Sequence, residues 1–226
     1  MGGRAILFGG FANPPQQIEE EWNRWYESTH VPSRLALPGF LAARRFKAYE
    51  GECKYVSLYE LESAAALSTA EYQAVKRREE AYPADSLEVR TRALPGFVRG
   101  VYEQIHPDTA YAMPDTDVLF VVAHDVPAER VDAFTAWYNT EHVPAMLRLP
   151  GWITARRFRL AVPARQGTTA PQFLSLYDLA DPDAVENERF LRERESPWST
   201  WVRSWYTRRL RIKARQISRA FAPSTK

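Results

Sequence analysis

The sequence predicts an α+β protein built from two similar halves, each with the order strand, helix, strand, strand, helix, strand. Two observations lead to this fold class. Segment 25–46, WYESTHVPSRLALPGFLAARRF, returns as segment 137–158, WYNTEHVPAMLRLPGWITARRF, and 13 of the 22 aligned positions are identical. In each half, runs with the three- and four-residue period of a helix alternate with short apolar runs typical of strands. The 226-residue chain therefore contains one unit twice.

Each predicted element follows from its local residues. A short apolar strand opens each half, and a turn with proline leads from it into a helix. Pro38-Gly39 and Pro150-Gly151 end these helices, because neither residue continues a helix. The segments YVSLYEL and FLSLYDL form the third strands, since Val, Leu and Tyr favour strands. The predicted ranges are strands 5–11 and 118–124, helices 16–35 and 128–147, second strands to about 49 and 162, helices 68–81 and 183–195, and strands 97–105 and 208–217.

The offset between the halves locates an insertion and a linker. It is 112 residues for the long segment and for the first strands, where Ile6-Leu7-Phe8 aligns with Val118-Leu119-Phe120. It rises to 118 at the third strands, which places six additional residues in the second half around positions 163–171. We therefore predict repeat 1 in residues 1–105, a linker in 106–117 and repeat 2 in 118–226.

The βαββαβ order of each half is the ferredoxin-like arrangement. A four-stranded sheet with its helices on one face leaves the other face bare, and that apolar face has to be buried. Two such sheets packed on each other would form an intramolecular version of a symmetric dimer. The space between the sheets is where we expect a ligand.

The repeated string resembles a known superfamily. W-Y-x-x-x-H-V-P-x-x-L-x-L-P-G-[FW]-x-x-A-R-R-F, after a ferredoxin-like first strand, resembles the dimeric α+β barrel superfamily and, within it, the EthD-like branch, once in each half. That superfamily includes cofactor-free monooxygenases, muconolactone-type isomerases, polyketide cyclases and haem-handling enzymes. The resemblance therefore implies a tandem-duplicated barrel but not one reaction.

Composition excludes several classes of protein. Hydrophobic residues make up 45% and charged residues 26% of the chain, as in ordinary globular proteins. The apolar runs are too short for a membrane helix, and the first residues lack the apolar length of a signal peptide. The single cysteine, Cys53, suits a reducing cytoplasm. A net charge of +2 without a recognition motif argues against nucleic-acid binding, and no spacing typical of a metal site occurs.

Two histidines are the first candidates for chemistry. His30 and His142 occupy the same place in both halves, and imidazole serves as general acid or base because its pKa lies near neutrality. Tyr26 and Tyr138 precede them by four residues and share their helix face, so each pair could hold a substrate oxygen and move a proton. The alternative is structural, with the histidine orienting the helix end and the tyrosine in the core. The second half is favoured because Glu141 adjoins His142, although sequence neighbours on a helix face different ways.

Paired arginines and tryptophans complete the candidate site. Arg44-Arg45 and Arg156-Arg157 open strands, so one arginine of each pair faces inward and could bind a carboxylate or enolate oxygen. The alternative is an ion pair with Glu60 or Asp178 on the neighbouring strand. Trp198, Trp201 and Trp205 recur at helical spacing, as either a platform for a planar ligand or core. The substrate-binding candidates are Arg156, Arg157, Arg45, Trp137, Trp201 and Trp205.

The last strand has a basic face. Arg209, Arg211, Lys213 and Arg215 alternate with small apolar residues. This face is either solvated or an anion-attracting wall at the mouth of a cavity.

These observations predict a cofactor-independent enzyme. It would perform acid/base chemistry of the isomerase, cyclase or lyase type on a small oxygenated, aromatic or polyketide-like molecule in an apolar cavity. One alternative is a cofactor-free or haem-dependent monooxygenase, with His124 or His142 as the axial ligand. Another is a non-catalytic binding protein. The expected assembly is a pseudo-dimeric monomer or a homodimer, with no nucleic-acid or membrane partner.

Overall fold

The structure is a computed structural model that describes residues 3–161 and 170–223. The elements of the first half are β1 (Ala5–Ala12), α1 (Gln16–Trp25), the π-helical turn π1 (Tyr26–His30), α2 (Val31–Leu35), β2 (Phe40–Gly51), β3 (Tyr55–Leu61), α3 (Ala70–Glu80), α4 (Leu87–Arg92) and β4 (Val98–His106). Those of the second half are β5 (Val118–Asp125), α5 (Val131–Trp137), the π-helical turn π2 (Tyr138–His142), α6 (Val143–Leu147), β6 (Trp152–Leu160), β7 (Phe173–Leu179), α7 (Glu188–Glu193), α8 (Pro197–Arg203) and β8 (Arg208–Phe221).

The eight strands form one closed antiparallel barrel in the order β1-β3-β2-β8-β5-β7-β6-β4. Each half contributes four consecutive strands in the same internal order, β4-β1-β3-β2 and β8-β5-β7-β6. The halves join edge to edge along two seams, β2 with β8 and β4 with β6. The barrel confirms the predicted fold class. The predicted insertion falls mostly on residues 162–169, which lie outside the described residues.

The register of the first strands corrects one sequence alignment. Leu7 of β1 pairs with Tyr59, and Phe120 of β5 pairs with the equivalent Tyr177. Leu7 therefore corresponds to Phe120, an offset of 113, and not to Leu119 as the apolar triplets predicted. Alternate strand residues face opposite sides, so a shift of one residue exchanges the two faces. A short run of similar apolar residues carries too little information to fix that register.

Alternation along the strands separates three apolar layers. The barrel interior is filled from both halves by one cluster that includes Phe8, Phe46, Phe158 and Leu176. The outer face of each half-sheet packs under its own helices, around Trp22 and Tyr26 in the first half and around Phe134 and Trp137 in the second. The interior between the sheets, where we expected a ligand, is thus packed core.

The first helix of each half departs from the prediction at the same place. The sequence predicts continuous helices over 16–35 and 128–147, but both contain a π-helical turn, π1 and π2. The amide of Val31 bonds the carbonyl of Tyr26, five residues back. Pro32, within the next turn, has no amide hydrogen and crowds the preceding turn, so a widened turn relieves the strain that proline causes in an α-helix.

The second helices are shorter than predicted. Helix α3 covers Ala70–Glu80, close to the expected 68–81, but the expected 183–195 is divided between a 3-10 helix, Pro182–Val185, and α7, Glu188–Glu193. Two further short helices, α4 and α8, follow them. Within the described ranges, no helix has the length and apolarity needed to cross a membrane.

Two buried ion pairs link the halves inside the barrel. The Arg156 guanidinium donates to both carboxylate oxygens of Glu60, at 2.9 and 2.8 Å. Reciprocally, Arg44 of the first half donates to Asp178 of the second at 2.7 Å. The structure therefore places Arg156 in the barrel core and not in a ligand cavity. This is the ion-pair alternative, except that each arginine pairs with a carboxylate of the opposite half.

The segment predicted as a linker is anchored in this interior. Tyr111 is buried, its hydroxyl donates to Asp178 Oδ2 at 2.6 Å, and the Arg156 guanidinium carbon lies 3.3 Å from its ring centre. Burial alone would raise the pKa of Asp178, but the charges of Arg44 and Arg156 and hydrogen bonds from Thr154 and Tyr111 outweigh it and lower that pKa.

Candidate functional site

Each half has a cavity between its sheet and its helices, on the outer side of the barrel. The first-half cavity has a free volume of about 530 Å³ including its open mouth, and the second-half cavity about 410 Å³. The repeated Trp-Tyr and His residues line both, namely Trp25, Tyr26, His30, Trp137, Tyr138 and His142. The predicted residues therefore meet at a cavity, but beneath the helices and not between the sheets.

The π-helical turn brings these side chains together. In a π-helical turn the hydrogen bond spans five residues, so residue i+5 lies above residue i. His30 accordingly lies 4.9 Å from the Trp25 ring and 4.7 Å from the Tyr26 ring, between centres. In the second half His142 stacks on Trp137 at 4.6 Å. A regular helix would bring only the tyrosine under the histidine.

The first-half histidine has a carboxylate partner. His30 Nδ1 lies 3.3 Å from Glu88 Oε1, and both side chains are largely buried. An ionised Glu88 can only accept, so Nδ1 carries the proton and Nε2 is the basic nitrogen of the neutral ring. Glu88 comes from α4, whose N-cap Ser86 accepts a hydrogen bond from the Val89 amide. Burial, then the charge of Arg34, holds the pKa of His30 well below its usual range.

Cations surround this pair. Arg34 lies 3.7 Å from Glu88 and forms a close ion pair with Glu79. Arg92 also binds Glu79, at 2.7 Å. Arg99, on β4, donates to the Tyr72 hydroxyl. These guanidinium groups could stabilise negative charge that develops on a bound oxygen.

The second half does not reproduce this arrangement. Helix α8 reads PWSTWVR and supplies no carboxylate to His142. Glu141, considered as a partner in sequence, accepts instead from Trp137 Nε1 at 3.1 Å and from Ser196 Oγ at 2.5 Å. Burial, then the charge of Arg203, lowers the pKa of His142 to about 3. His142 is therefore neutral and lacks the group that would stabilise its protonated form.

Two substitutions explain the difference in size between the cavities. The register places Gly9 opposite Arg99 in the first half and Val122 opposite Arg211 in the second. A Cβ atom at Gly9 would point at the Tyr26 hydroxyl, 3.8 Å away. Phe120 likewise replaces Leu7. The first-half cavity is wider because its floor carries the smaller side chains.

The remaining predicted residues divide between the cavity walls and the surface. Arg45 and Arg157 lie behind the cavity, with guanidinium carbons 4.4 and 4.3 Å from the rings of Tyr26 and Tyr138. Trp201 is 54% exposed and Trp205 is buried under Arg130, and the lining residues of the second-half cavity do not include them. These two tryptophans therefore do not line the cavity found in this half, and their role as a platform for a planar ligand stays a prediction.

Sequence reasoning missed Glu88, Arg34, Arg99 and Tyr59. Tyr59 belongs to the repeated SLYEL strand, and its buried hydroxyl makes no hydrogen bond of normal geometry to the described residues. Burial raises its pKa well above the usual value. The repeat gave a signal for Tyr59, because Tyr177 matches it. Glu88 and Arg34 have no matching residue in the other half, so the repeat could not reveal them.

The two histidines considered as axial ligands of a haem are enclosed by other aromatic rings. His124 is buried against the rings of Phe134, Tyr138 and Tyr206, at 5.5, 5.8 and 4.4 Å. His142 stacks on Trp137 at 4.6 Å. Among the residues with described positions, no group of three or more His, Cys, Asp or Glu side chains could hold a metal ion.

Comparison with known proteins supports the architecture. An anthrone oxidase-like protein superposes with a TM-score of 0.67 at 12% identity, over 97% of this chain and 93% of that one. A proposed monooxygenase from Lactobacillus acidophilus superposes with a TM-score of 0.55 at 9% identity, over 97% of each chain. Chlorite dismutase from Candidatus Nitrospira defluvii in complex with imidazole superposes with a TM-score of 0.56 at 10% identity, over 95% of this chain and 92% of that one.

The sequence comparisons are less informative. A family profile described as "Domain of unknown function (DUF4286)" matches residues 6–83. No curated protein matches the chain. The tandem duplication and the EthD-like branch stay predictions. The likeness to solved structures shows the fold, and this chain has the ferredoxin-like α+β barrel that those proteins share.

Proposed function

We propose that the chain is an enzyme whose first-half cavity removes a proton from a small, oxygenated aromatic or polyketide-like molecule. The observation that carries this proposal is the His30–Glu88 contact in the lining of the wider cavity. The proposed base is His30 Nε2, which the lowered pKa keeps unprotonated at neutral pH. This choice reverses the sequence-based preference for His142.

Glu88 has a positioning and electrostatic role in this scheme. As His30 takes up a proton, the adjacent carboxylate stabilises the imidazolium, as in other carboxylate–histidine pairs. The substrate oxygen acquires negative charge at the same time, and Arg34 and Arg99 line the cavity where they can stabilise it. The flat walls of Trp25, Tyr59 and Phe97 suit an aromatic ring.

A second candidate begins with the same step. The carbanion formed from an anthrone-type methylene can react with O2, so that the methylene becomes a carbonyl and one water is released. Likeness to an anthrone oxidase-like protein and to a proposed monooxygenase favours this outcome. The isomerase, cyclase and lyase outcomes would share the proton abstraction and differ in the fate of the carbanion. The proposal calls for no cofactor in either case.

The test separates proton abstraction from its consequence. Wild type, His30→Gln, Glu88→Gln and the matched control His142→Gln are incubated with a panel of anthrones and phenols. Deuterium exchange at the acidic C–H is followed by NMR under nitrogen, and oxygen uptake is followed in air. We expect His30→Gln to lower the exchange rate by about 10²–10⁴-fold, Glu88→Gln to lower it less, and His142→Gln to leave it unchanged. The proposal fails if His142→Gln abolishes exchange while His30→Gln does not.

Oxygen uptake then decides between the two outcomes. Uptake that depends on His30 supports the monooxygenase. Exchange without uptake supports an isomerase, cyclase or lyase. If no compound reacts faster with wild type than with His30→Gln, the enzyme proposal is wrong and a binding protein is favoured.

A further inference from the structure

The second-half cavity differs from the first in lacking carboxylates to balance its cations. Four arginines line it, Arg194, Arg203, Arg209 and Arg211, and its lining includes no carboxylate. In the first half, by contrast, Glu79 and Glu88 lie within the lining and bind the neighbouring cations. The two cavities are therefore built for different ligands.

Two of the four arginines are not neutralised. Glu195, at the rim, pairs with Arg194 at 3.1 Å and with Arg203 at 2.5 Å. Arg209 and Arg211 have no carboxylate within 4 Å among the residues that the structure describes. They lie two positions apart on β8, so both point to the cavity side of the sheet.

Buried polar atoms at the bottom of this cavity also lack partners. Arg211 Nε and His124 Nδ1 are each buried without a hydrogen bond to a described residue. His124 as a whole is only 1% exposed. Buried polar groups are normally satisfied, and a guanidinium nitrogen can only donate, so the unpartnered Arg211 Nε beside a cavity points to a ligand that accepts hydrogen bonds.

The walls define the rest of the ligand. Phe120, Tyr138, Tyr177 and Tyr206 face the cavity with rings, and Phe120 lies against the Arg211 guanidinium at 4.9 Å. Guanidinium groups recognise carboxylates through two parallel hydrogen bonds. An aromatic ring attached to a carboxylate satisfies both the charge and the flat walls.

We propose that the second-half cavity is a binding site for a small aromatic carboxylate, held by Arg209 and Arg211. The site is separate from the proposed base His30, so binding and turnover can be measured independently. Sequence reasoning about the basic β8 strand left open an anion-attracting wall, and the cavity gives that wall a location.

Benzoate is the probe, and benzamide, which has the same shape without the charge, is the control ligand. Binding to the full chain is measured by isothermal titration calorimetry, with far-UV circular dichroism to verify each variant's fold. We expect benzoate to bind wild type at least tenfold more tightly than benzamide. Arg211→Gln and Arg209→Gln are each expected to weaken benzoate binding at least tenfold. Arg209 is exposed, so its variant tests the site even if Arg211→Gln does not fold.

The matched control variant is Arg215→Gln, an exposed position on the same strand that lies outside the lining of the cavity, and it is expected to bind benzoate like wild type. The proposal is overturned if wild type does not bind benzoate, if benzamide binds equally well, or if folded variants at Arg209 and Arg211 retain wild-type affinity. A loss in Arg215→Gln equal to that in Arg211→Gln also overturns it, because binding would then depend on the overall positive charge of β8 and not on the cavity. Failure of the His30 experiment does not affect these outcomes.

Discussion

Removing Arg156 should reveal how much the ion pairs across the barrel contribute to stability. The side chains of Arg156 and Glu60 are only 3% and 4% exposed, and two hydrogen bonds join them. Arg156→Met leaves the Glu60 carboxylate buried without its cation, which costs about 3–5 kcal/mol in comparable pairs. For a chain of this length each kcal/mol lowers the Tm by about 2–4 °C, so we expect a fall of roughly 6–20 °C.

The reciprocal pair supplies the control. Arg44→Met also removes a buried cation, but Asp178 keeps hydrogen bonds from Tyr111 and Thr154. We therefore expect Arg44→Met to cost less than Arg156→Met. The double variant Arg156→Met/Glu60→Leu removes both charges, and should recover most of the loss because an apolar pair fills the same space without desolvated charge.

Urea denaturation at pH 7, with the free energy of unfolding from linear extrapolation, measures all four proteins. A loss under about 1 kcal/mol for Arg156→Met would match an exposed pair and would refute the buried bridge. A double variant as unstable as the single one would show that packing, and not an orphaned charge, causes the loss.

Three further outcomes are expected. The lowered pKa of Asp178 stabilises the fold above the pKa of the unfolded carboxyl, about 3.9, so the urea midpoint should fall as the pH drops below about 4. Thr154→Val raises the pKa of Asp178 by removing a hydrogen bond and should weaken this pH dependence. A pH profile unchanged from wild type would contradict this expectation. Gly39 has a φ of +79°, so Gly39→Ala should cost at least about 1–2 kcal/mol in the free energy of unfolding; a neutral result would show that the turn adapts. Trp22 Nε1 donates to Thr91 Oγ1 at 2.8 Å inside the core, so Thr91→Val should cost about 1–3 kcal/mol while Thr91→Ser stays near wild type; equal losses would assign the effect to packing.

The fold was predictable because it depends on a repeated pattern. The string from Trp25 to Phe46 predicted two similar halves, and the bare face predicted for each sheet required a partner. The register of β1 was not predictable, since Ile6-Leu7-Phe8 matches Val118-Leu119-Phe120 better than it matches its true counterpart, Leu119-Phe120-Val121. The π-helical turns depend on the proline that follows each of them. The spacing of a regular helix places Trp25 and His30 on different faces.

The site was predictable only where both halves agree. His30, Tyr26 and their counterparts were found because they occur twice. Glu88 lies on a six-residue helix with a weak sequence signal and has no counterpart, so its contact with His30 depends on tertiary packing. The partners of Arg44 and Arg156 depend on how the halves meet, which local sequence does not encode.

The location of both halves on one chain has a consequence for how the two cavities can change. In an assembly of identical chains, every substitution appears in both cavities at once, and a change that improves one cavity alters the other. Here Glu88 and Arg209 each occur in a single cavity, although the two seams β2–β8 and β4–β6 hold the halves as in a symmetric pair. Selection can therefore change the lining of one cavity without changing that of the other.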